Sequence, residues 1–314
     1  MNEETLRAKF LGALVGTGVG DALGASLEGR RRVGEEEIRS LAERKEVLTY
    51  TDDTHMMLGV AESLIANKGF VGEHMAQTFI RNFTQEPWRG YGPGPPRVFK
   101  LIKSGEAWDK ASERFYPGGS YGNGSAMRIA PIGVFYYDEP KKLKEVAYQS
   151  SQITHAHVLG KEGAALQAYA VALATGFVPP TFDREDFLQR LNDFIEHEVY
   201  KRKLQKIAEL LARDKVDRLE VVRELGNGIE AFNSVPTAIY SFLSHPQSFE
   251  EAVLYAVSLG GDTDTIGAMT GAISGAYLGI NSIPESWKAK LENRQYLEEL
   301  AEKLWEIKKN LHLL

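Results

Sequence analysis

Two stretches decide how this chain folds: Gly12-Ala13-Leu14-Val15-Gly16-Thr17-Gly18-Val19-Gly20-Asp21-Ala22-Leu23-Gly24, and Gly267-Ala268-Met269-Thr270-Gly271-Ala272-Ile273-Ser274-Gly275-Ala276-Tyr277-Leu278-Gly279. Each carries glycine at every fourth position inside an otherwise apolar, helix-forming run. A glycine inside a helix costs about 1 kcal/mol against alanine, so two such rows need a reason. A bare row at i±4 is a groove into which another helix can settle closely. Ridge-and-groove packing then predicts the crossing of the 4-4 class. The rows therefore predict two buried, closely packed helices whose ends are brought together, and acidic residues cluster near those ends.

Outward from these rows, most of the sequence reads with helical period. Glu4 to Gly24 is one helix. His55 to Ala66 places Leu58, Ala61, Leu64 and Ile65 on one face, and Ser248-Phe249-Glu250-Glu251 has the capping-box pattern at the head of an apolar run. Glu285 to Lys309 reads as a charged amphipathic helix, and Arg184 to Glu224 as a solvated helical layer. Arg128 to Tyr137 is apolar enough for a strand and equally suits a helix. The expected fold is all-α, a single domain over residues 1–314.

The bulk composition narrows the function. The chain has 314 residues, 43% of them hydrophobic and 25% charged, which is ordinary for a globular protein. A formal net charge of −6 argues against holding nucleic acid by phosphate neutralisation. With no cysteine, disulfides, thiolate zinc sites and a cysteine nucleophile are excluded. The acidic start and the interrupted apolar stretches predict neither a secretory signal nor a membrane span. The expectation is a soluble, cytoplasmic monomer.

Three segments concentrate acids: Gly20-Asp21 with Glu28, Thr51-Asp52-Asp53-Thr54, and Gly260-Gly261-Asp262-Thr263-Asp264-Thr265. The second and third stand immediately before helical runs, where threonine and aspartate are ordinary caps and favour the positive end of the helix dipole. Two such blocks, each with paired carboxylates and threonines, suggest more. Carboxylates and hydroxyls are hard oxygen ligands suited to Mg²⁺ or Mn²⁺. Several carboxylates in one place repel unless cations lie between them. His55 follows the acids but faces a core-like helix and reads as structural.

The loops Pro87 to Pro96 and Tyr116 to Gly124 are rich in glycine, proline and aromatics. In the second, Gly118-Gly119-Ser120-Tyr121-Gly122-Asn123-Gly124-Ser125 can turn successive backbone N–H groups towards phosphate oxygens, with Ser120 adding a hydroxyl. Phe115, Tyr121 and His155 offer stacking surface and a donor for a nucleotide. His155 also suits an ordinary satisfied histidine.

Taken together, these segments resemble the ADP-ribosyl hydrolase (ADP-ribosylglycohydrolase) family and, within it, the serine and poly-ADP-ribose branch. The resemblance follows the family's order. It runs through Gly20–Gly24 with Glu28, Thr51–Thr54, Arg89–Gly94, Gly119–Arg128 and Thr154-His155. It continues with Asn227–Ile229, Ser234–Ala238 and Gly260–Thr265. The paired acid blocks carry the family; the loops at Arg89, Ser120 and Ser234 carry the branch. The resemblance implies an orthogonal all-α fold with two central Mg²⁺ ions, replaceable by Mn²⁺. Thr51, Asp52, Asp53, Asp262, Asp264 and Thr265 match its metal ligands, and Glu28 matches a glutamate on a mobile flap that reaches a metal and the scissile bond. Gly119, Ser120, Tyr121 and Gly122 match a diphosphate loop, Phe115 an adenine-stacking aromatic, and His155 a neighbour of the phosphates. Gly90, Asn227 and Ser234 match further ligand contacts. No metal position is lost.

The implied activity is hydrolysis of the bond between ADP-ribose and its acceptor, with Glu28, Asp52, Asp53 and Asp264 at the chemistry. Its substrates would be ADP-ribosylated proteins, poly-ADP-ribose or ADP-ribose esters such as O-acetyl-ADP-ribose. Three alternatives stay open: an arginine-acceptor hydrolase, a magnesium phosphohydrolase cutting the diphosphate, and a non-catalytic ADP-ribose reader.

Overall fold

In the computed structural model, which describes residues 1–178 and 182–311, the two glycine rows face one another. The first lies in the helix Glu3–Gly24 and the second in Thr263–Leu278, which Gly279 ends at φ +81°. A Cβ placed on Gly12 would lie 2.2 Å from the Gly275 carbonyl oxygen. On Gly16 it would lie 2.4 Å from that of Gly271, on Gly20 2.1 Å from that of Gly267, and on Gly24 2.3 Å from that of Thr263. Backbone meets backbone, and no other residue fits. The pairs run in opposite directions along the two helices, so the helices are antiparallel.

One expectation is corrected here. A crossing of ~50° would carry the axes apart within a couple of turns. The contact instead persists over the whole row, roughly 18 Å at 1.5 Å per residue. The two helices lie nearly along each other because each row presents the same small residue at every turn. Close approach therefore never has to end.

Around this pair pack the helices Asp52–Asn67, Val158–Gly176, Ala231–Ser244, Phe249–Ser258 and Arg294–Leu311. Ser248 caps its helix as its pattern predicts, its side chain accepting from Glu251 N at 3.2 Å. Residues Ala130–Phe135 form a helix, which settles the ambiguous stretch. The charged region holds three helices, Arg184–Phe194, Glu198–Leu211 and Arg218–Leu225, with Phe187, Leu191, Tyr200 and Ile207 turned inward. Among the described residues there is no strand, only the isolated bridges Leu48–Leu291 and Gly122–Glu230. No helix of the described residues is long and apolar enough to cross a membrane.

A second correction concerns the C-terminal amphipathic stretch. It is two helices, Glu285–Lys288 and Arg294–Leu311, broken where Asn293 takes φ +51°. The break lets the chain pair with Leu48: Leu48 N donates to Lys290 O at 2.8 Å and Glu292 N to Leu48 O at 3.0 Å. That pairing fixes the approach to Thr51.

Candidate active site

The glycine pair ends where the acids begin. Gly24, the last residue of the first helix, abuts the N-terminus of the second, and Thr263 Oγ1 donates to Gly24 O at 2.9 Å. One turn back, Asp21 is completely buried. Its carboxylate accepts from Thr51 N at 3.0 Å, Thr51 Oγ1 at 2.9 Å, Thr54 N at 3.0 Å and Thr54 Oγ1 at 2.6 Å. Asp21 thus fastens the Thr51–Thr54 block to the glycine pair. Thr51 is the N-cap of the helix Asp52–Asn67, its oxygen accepting from Asp53 N at 3.3 Å, which leaves the Asp52 and Asp53 carboxylates free of capping duty.

The second block stands at the other helix N-terminus. Asp262 occupies the N-cap position of Thr263–Leu278, yet its side chain makes no capping bond and accepts instead from Asn123 Nδ2. Asn123 Nδ2 also donates to Ser234 Oγ at 3.1 Å. One oxygen each of Glu28, Asp262 and Asp264 lies within 4.8 Å of the others. Asp52, Asp53 and Thr265 line the same cleft, whose volume is about 320 Å³.

Burial, and after it the neighbouring carboxylates, raise the pKa of Asp52, Asp53 and Asp264 above the usual range. Glu28 and Asp262 rise chiefly through burial, with Asp262 adding to Glu28. Like charges crowded in low dielectric favour the proton unless a cation replaces it. The donor set fits a hard divalent cation: the facing groups are carboxylate and hydroxyl oxygens, and Asp53 Oδ2 is buried without a hydrogen-bond partner among the described residues.

Glu28 is the exposed member of the acids, on the turn after Gly24. The segment expected to be a mobile flap is held at both sides. Leu27 and Val33 are buried, Gly29 N donates to Gly261 O at 2.8 Å, and Gly261 N donates to Arg30 O at 2.7 Å. Leu27 and this backbone pairing are anchors that the local sequence does not announce.

Facing the acids is the loop Gly119–Gly124. Gly119 takes φ +79°, and a Cβ there would strike His157 N at 2.2 Å. Ser120 Oγ accepts from Gly122 N at 3.2 Å, and Asn123 N donates to Ile229 O at 2.9 Å. Ser120, Gly122, Gly124 and His155 all line the cleft. Gly90 lines it too, at φ +90° and beside Asp52. Arg89 is buried away from it, clasped by Glu86 and Glu292 and stacked 4.4 Å over Tyr50.

Other candidate residues lie behind the wall rather than on it. Tyr121 is about half exposed and packs against His157 and Phe232, because its carbonyl is tied to Ala231 N at 3.0 Å. Phe115 packs edge-on against Tyr116, and Tyr116 is the aromatic that lines the cleft. Asn227 supports the second acid block through its carbonyl, which accepts from Asp262 N at 2.9 Å. Ser234 is fully buried and steadies Asn123. His55 is buried against Tyr91 and takes no part in the cleft. Asn123, Tyr116 and Ile229 line the cleft without having been given a role from sequence, and Asp21, noticed there only as one of the clustered acids, is the anchor of the first block. For Asp21 and Asn123 the signal was their place inside motifs already noticed.

Comparison with known proteins identifies the chain's family. The family model described as ADP-ribosylglycohydrolase matches residues 2–312. The mouse ADP-ribosylhydrolase ARH3 is 39% identical, the match covering 95% of this chain and 91% of the mouse protein. The Xenopus tropicalis protein of the same name is 40% identical, covering 96% and 95%. A solved structure titled ADP-ribosylglycohydrolase-related protein complex superposes with a TM-score of 0.76 at 27% identity, covering 97% of this chain and 99% of that one. The chain therefore belongs to the ADP-ribosylglycohydrolase family, as an enzyme that hydrolyses ADP-ribosyl linkages.

Proposed function

We propose that the enzyme cleaves the bond between the distal ribose of ADP-ribose and an oxygen acceptor, on serine, within poly-ADP-ribose or in O-acetyl-ADP-ribose, and that it depends on two Mg²⁺ ions. The observation that carries this reading is that Glu28, Asp262 and Asp264 share one cleft with the Ser120–Gly124 loop and His155. Acids for the ribose end and donors for the diphosphate thus face the same space. Thr51, Asp52, Asp53, Asp262, Asp264, Thr265 and Glu28 would hold the ions, and Mn²⁺ can replace Mg²⁺. When bound, the ions supply Lewis-acid polarisation of ribose hydroxyls and water.

The chain's own residues do the rest. His155, the Ser120 hydroxyl and those amides of the Gly119–Gly124 loop that do not donate within the protein, unlike Gly119, Gly122 and Asn123, hold the diphosphate, which fixes the ribose over the acids. Asp52, Asp53 and Asp264 stabilise positive character on the ring as the bond to the acceptor breaks. Water oxygen adds to the anomeric carbon, a proton passes from Glu28 to the departing acceptor oxygen, and the proton that the water loses restores Glu28. Glu28 stands at the exposed side of the acid group, where, when it is not holding an ion, it can give that proton. The preference for oxygen acceptors rests on the loops at Arg89, Ser120 and Ser234, which resemble the serine branch.

The test is incubation with serine- and arginine-ADP-ribosylated peptides and poly-ADP-ribose, with Mg²⁺ or with chelator. The expected result is Mg²⁺-dependent release of intact ADP-ribose from the serine and polymer substrates. Equal or faster release from arginine would move the enzyme to the other branch. AMP plus ribose phosphate would identify a phosphohydrolase, and tight binding without turnover a reader.

A further inference from the structure

Arg128 is completely buried beneath the cleft and has no carboxylate partner among the described residues. Its guanidinium lies 4.6 Å over the Phe79 ring, Nη2 donates to Ser150 O at 2.9 Å, and Nη1 donates to Thr154 Oγ1 at 2.9 Å. The Thr154 oxygen is in turn 2.8 Å from His155 Nδ1. An uncompensated buried guanidinium is costly, so its placement calls for a purpose.

Hydrogen-bond logic supplies one. Arginine has donors only, so Thr154 Oγ1 is the acceptor in its contact with Nη1. The hydroxyl's own proton then points to His155 Nδ1. The opposite arrangement would aim the guanidinium and an imidazole N–H at one oxygen and leave the hydroxyl proton without that acceptor. With Nδ1 accepting, a neutral ring carries its proton on Nε2. The Nε2 edge faces the loop: Cβ atoms built on Gly122 and Gly124 would lie 3.3 and 2.9 Å from Nε2. Among the described residues no protein group bonds Nε2, and the ring lines the cleft.

We infer that Arg128 and Thr154 are positioning residues that lock His155 as the neutral Nε2–H tautomer, a ready donor for a diphosphate oxygen beside the glycine loop. This deepens the proposed function and rests on its placement of the diphosphate. The other tautomer would present a lone pair to the anion and repel it. Burial, with Arg128 adding to it, pushes the His155 pKa down to about 3, in keeping with a neutral ring.

The test is two-bond ¹H–¹⁵N correlation of the histidine side chains in the intact protein, with His155 assigned through His155→Asn. The inference expects a protonated Nε2 and a bare Nδ1 in the free wild-type protein. Thr154→Val should lose that pattern and weaken ADP-ribose binding about tenfold, the worth of one hydrogen bond. Thr154→Ser should restore both. A proton on Nδ1, an imidazolium, or an unchanged tautomer in Thr154→Val would overturn it, and the first two need no variant to fold. If the tautomer and ADP-ribose binding behave as expected while no linked acceptor is hydrolysed, the proposed function fails and this assignment stands. Turnover of the acceptors by an enzyme whose His155 carries its proton on Nδ1 would mean the reverse.

Discussion

The Thr51–Thr54 and Asp262–Thr265 blocks look alike in sequence, and both open helices, but they are held in different ways. The first is gripped by side chains: Asp21 takes four donors from Thr51 and Thr54, and Thr51 caps the helix. The second is gripped mainly by backbone, with Asp262 N on Asn227 O and Gly261 N on Arg30 O. In neither does the paired aspartate at the helix start cap it: among the described residues the Asp53 Oδ2 atom has no hydrogen-bond partner, and Asp262 is turned to Asn123. Carboxylates at the positive end of a helix that decline the capping bond are available for something else. They are open to the cations that the proposed function assigns to the two helix ends.

The largest expected effect comes from breaking both blocks at their shared purpose. Asp264→Asn, or chelation of the wild type, should abolish turnover while circular dichroism shows the helices intact. A fully active, chelator-treated Asp264→Asn enzyme would contradict the shared cation. The metal-free protein should also show the crowding through pH. The folded-state pKa of Asp264 is raised to about 9 from an ordinary aspartate value of 3.8, by burial first and Asp262 next. A raised carboxyl pKa favours the folded state when protonated. Its contribution is therefore complete below about pH 4 and lost as pH rises towards 9. Thermal melts with chelator should fall over that window, and saturating Mg²⁺ should flatten the decline.

Next in size, Glu28→Gln separates proton transfer from the rest of the cleft. Turnover should drop roughly 10²–10⁴-fold, the usual worth of general acid–base catalysis, with ADP-ribose affinity changed far less. Near wild-type turnover of serine-linked substrate would remove Glu28 from the chemistry. Asp21→Asn sharpens the contrast between the two grips. It should lower activity about 10–100-fold through the Thr51 block, as loss of an outer support does. Weakened Mn²⁺ binding is the readout that ties the loss to the site. Gly16→Ala should leave the chemistry alone and destabilise by ~1–3 kcal/mol, since its Cβ would stand 2.4 Å from Gly271 O. An unchanged melting temperature would refute the backbone contact.

How much of this was legible in the sequence follows from range. The glycine rows announce themselves through a local period, and so do the acid blocks. The angle between the helices is not local: an i±4 groove permits a crossing or a long alignment, and only the match between two distant rows selects the second. Loop side chains were harder still. Tyr121 faces away from the cleft because of a bond from Ala231, more than a hundred residues on, and no spacing rule reports that. The Asn293 break was hidden by an amphipathic pattern that continues across it, and its cause is pairing with Leu48.

The most direct test of the central claim is to count the divalent ions held between the two helix ends. Equilibrium dialysis against Mn²⁺ should give two saturable ions per wild-type chain, and a loss of both in an Asp53→Asn/Asp264→Asn double variant that remains folded. Absence of saturable Mn²⁺ binding by the wild type, or binding unchanged in the double variant, would contradict the account.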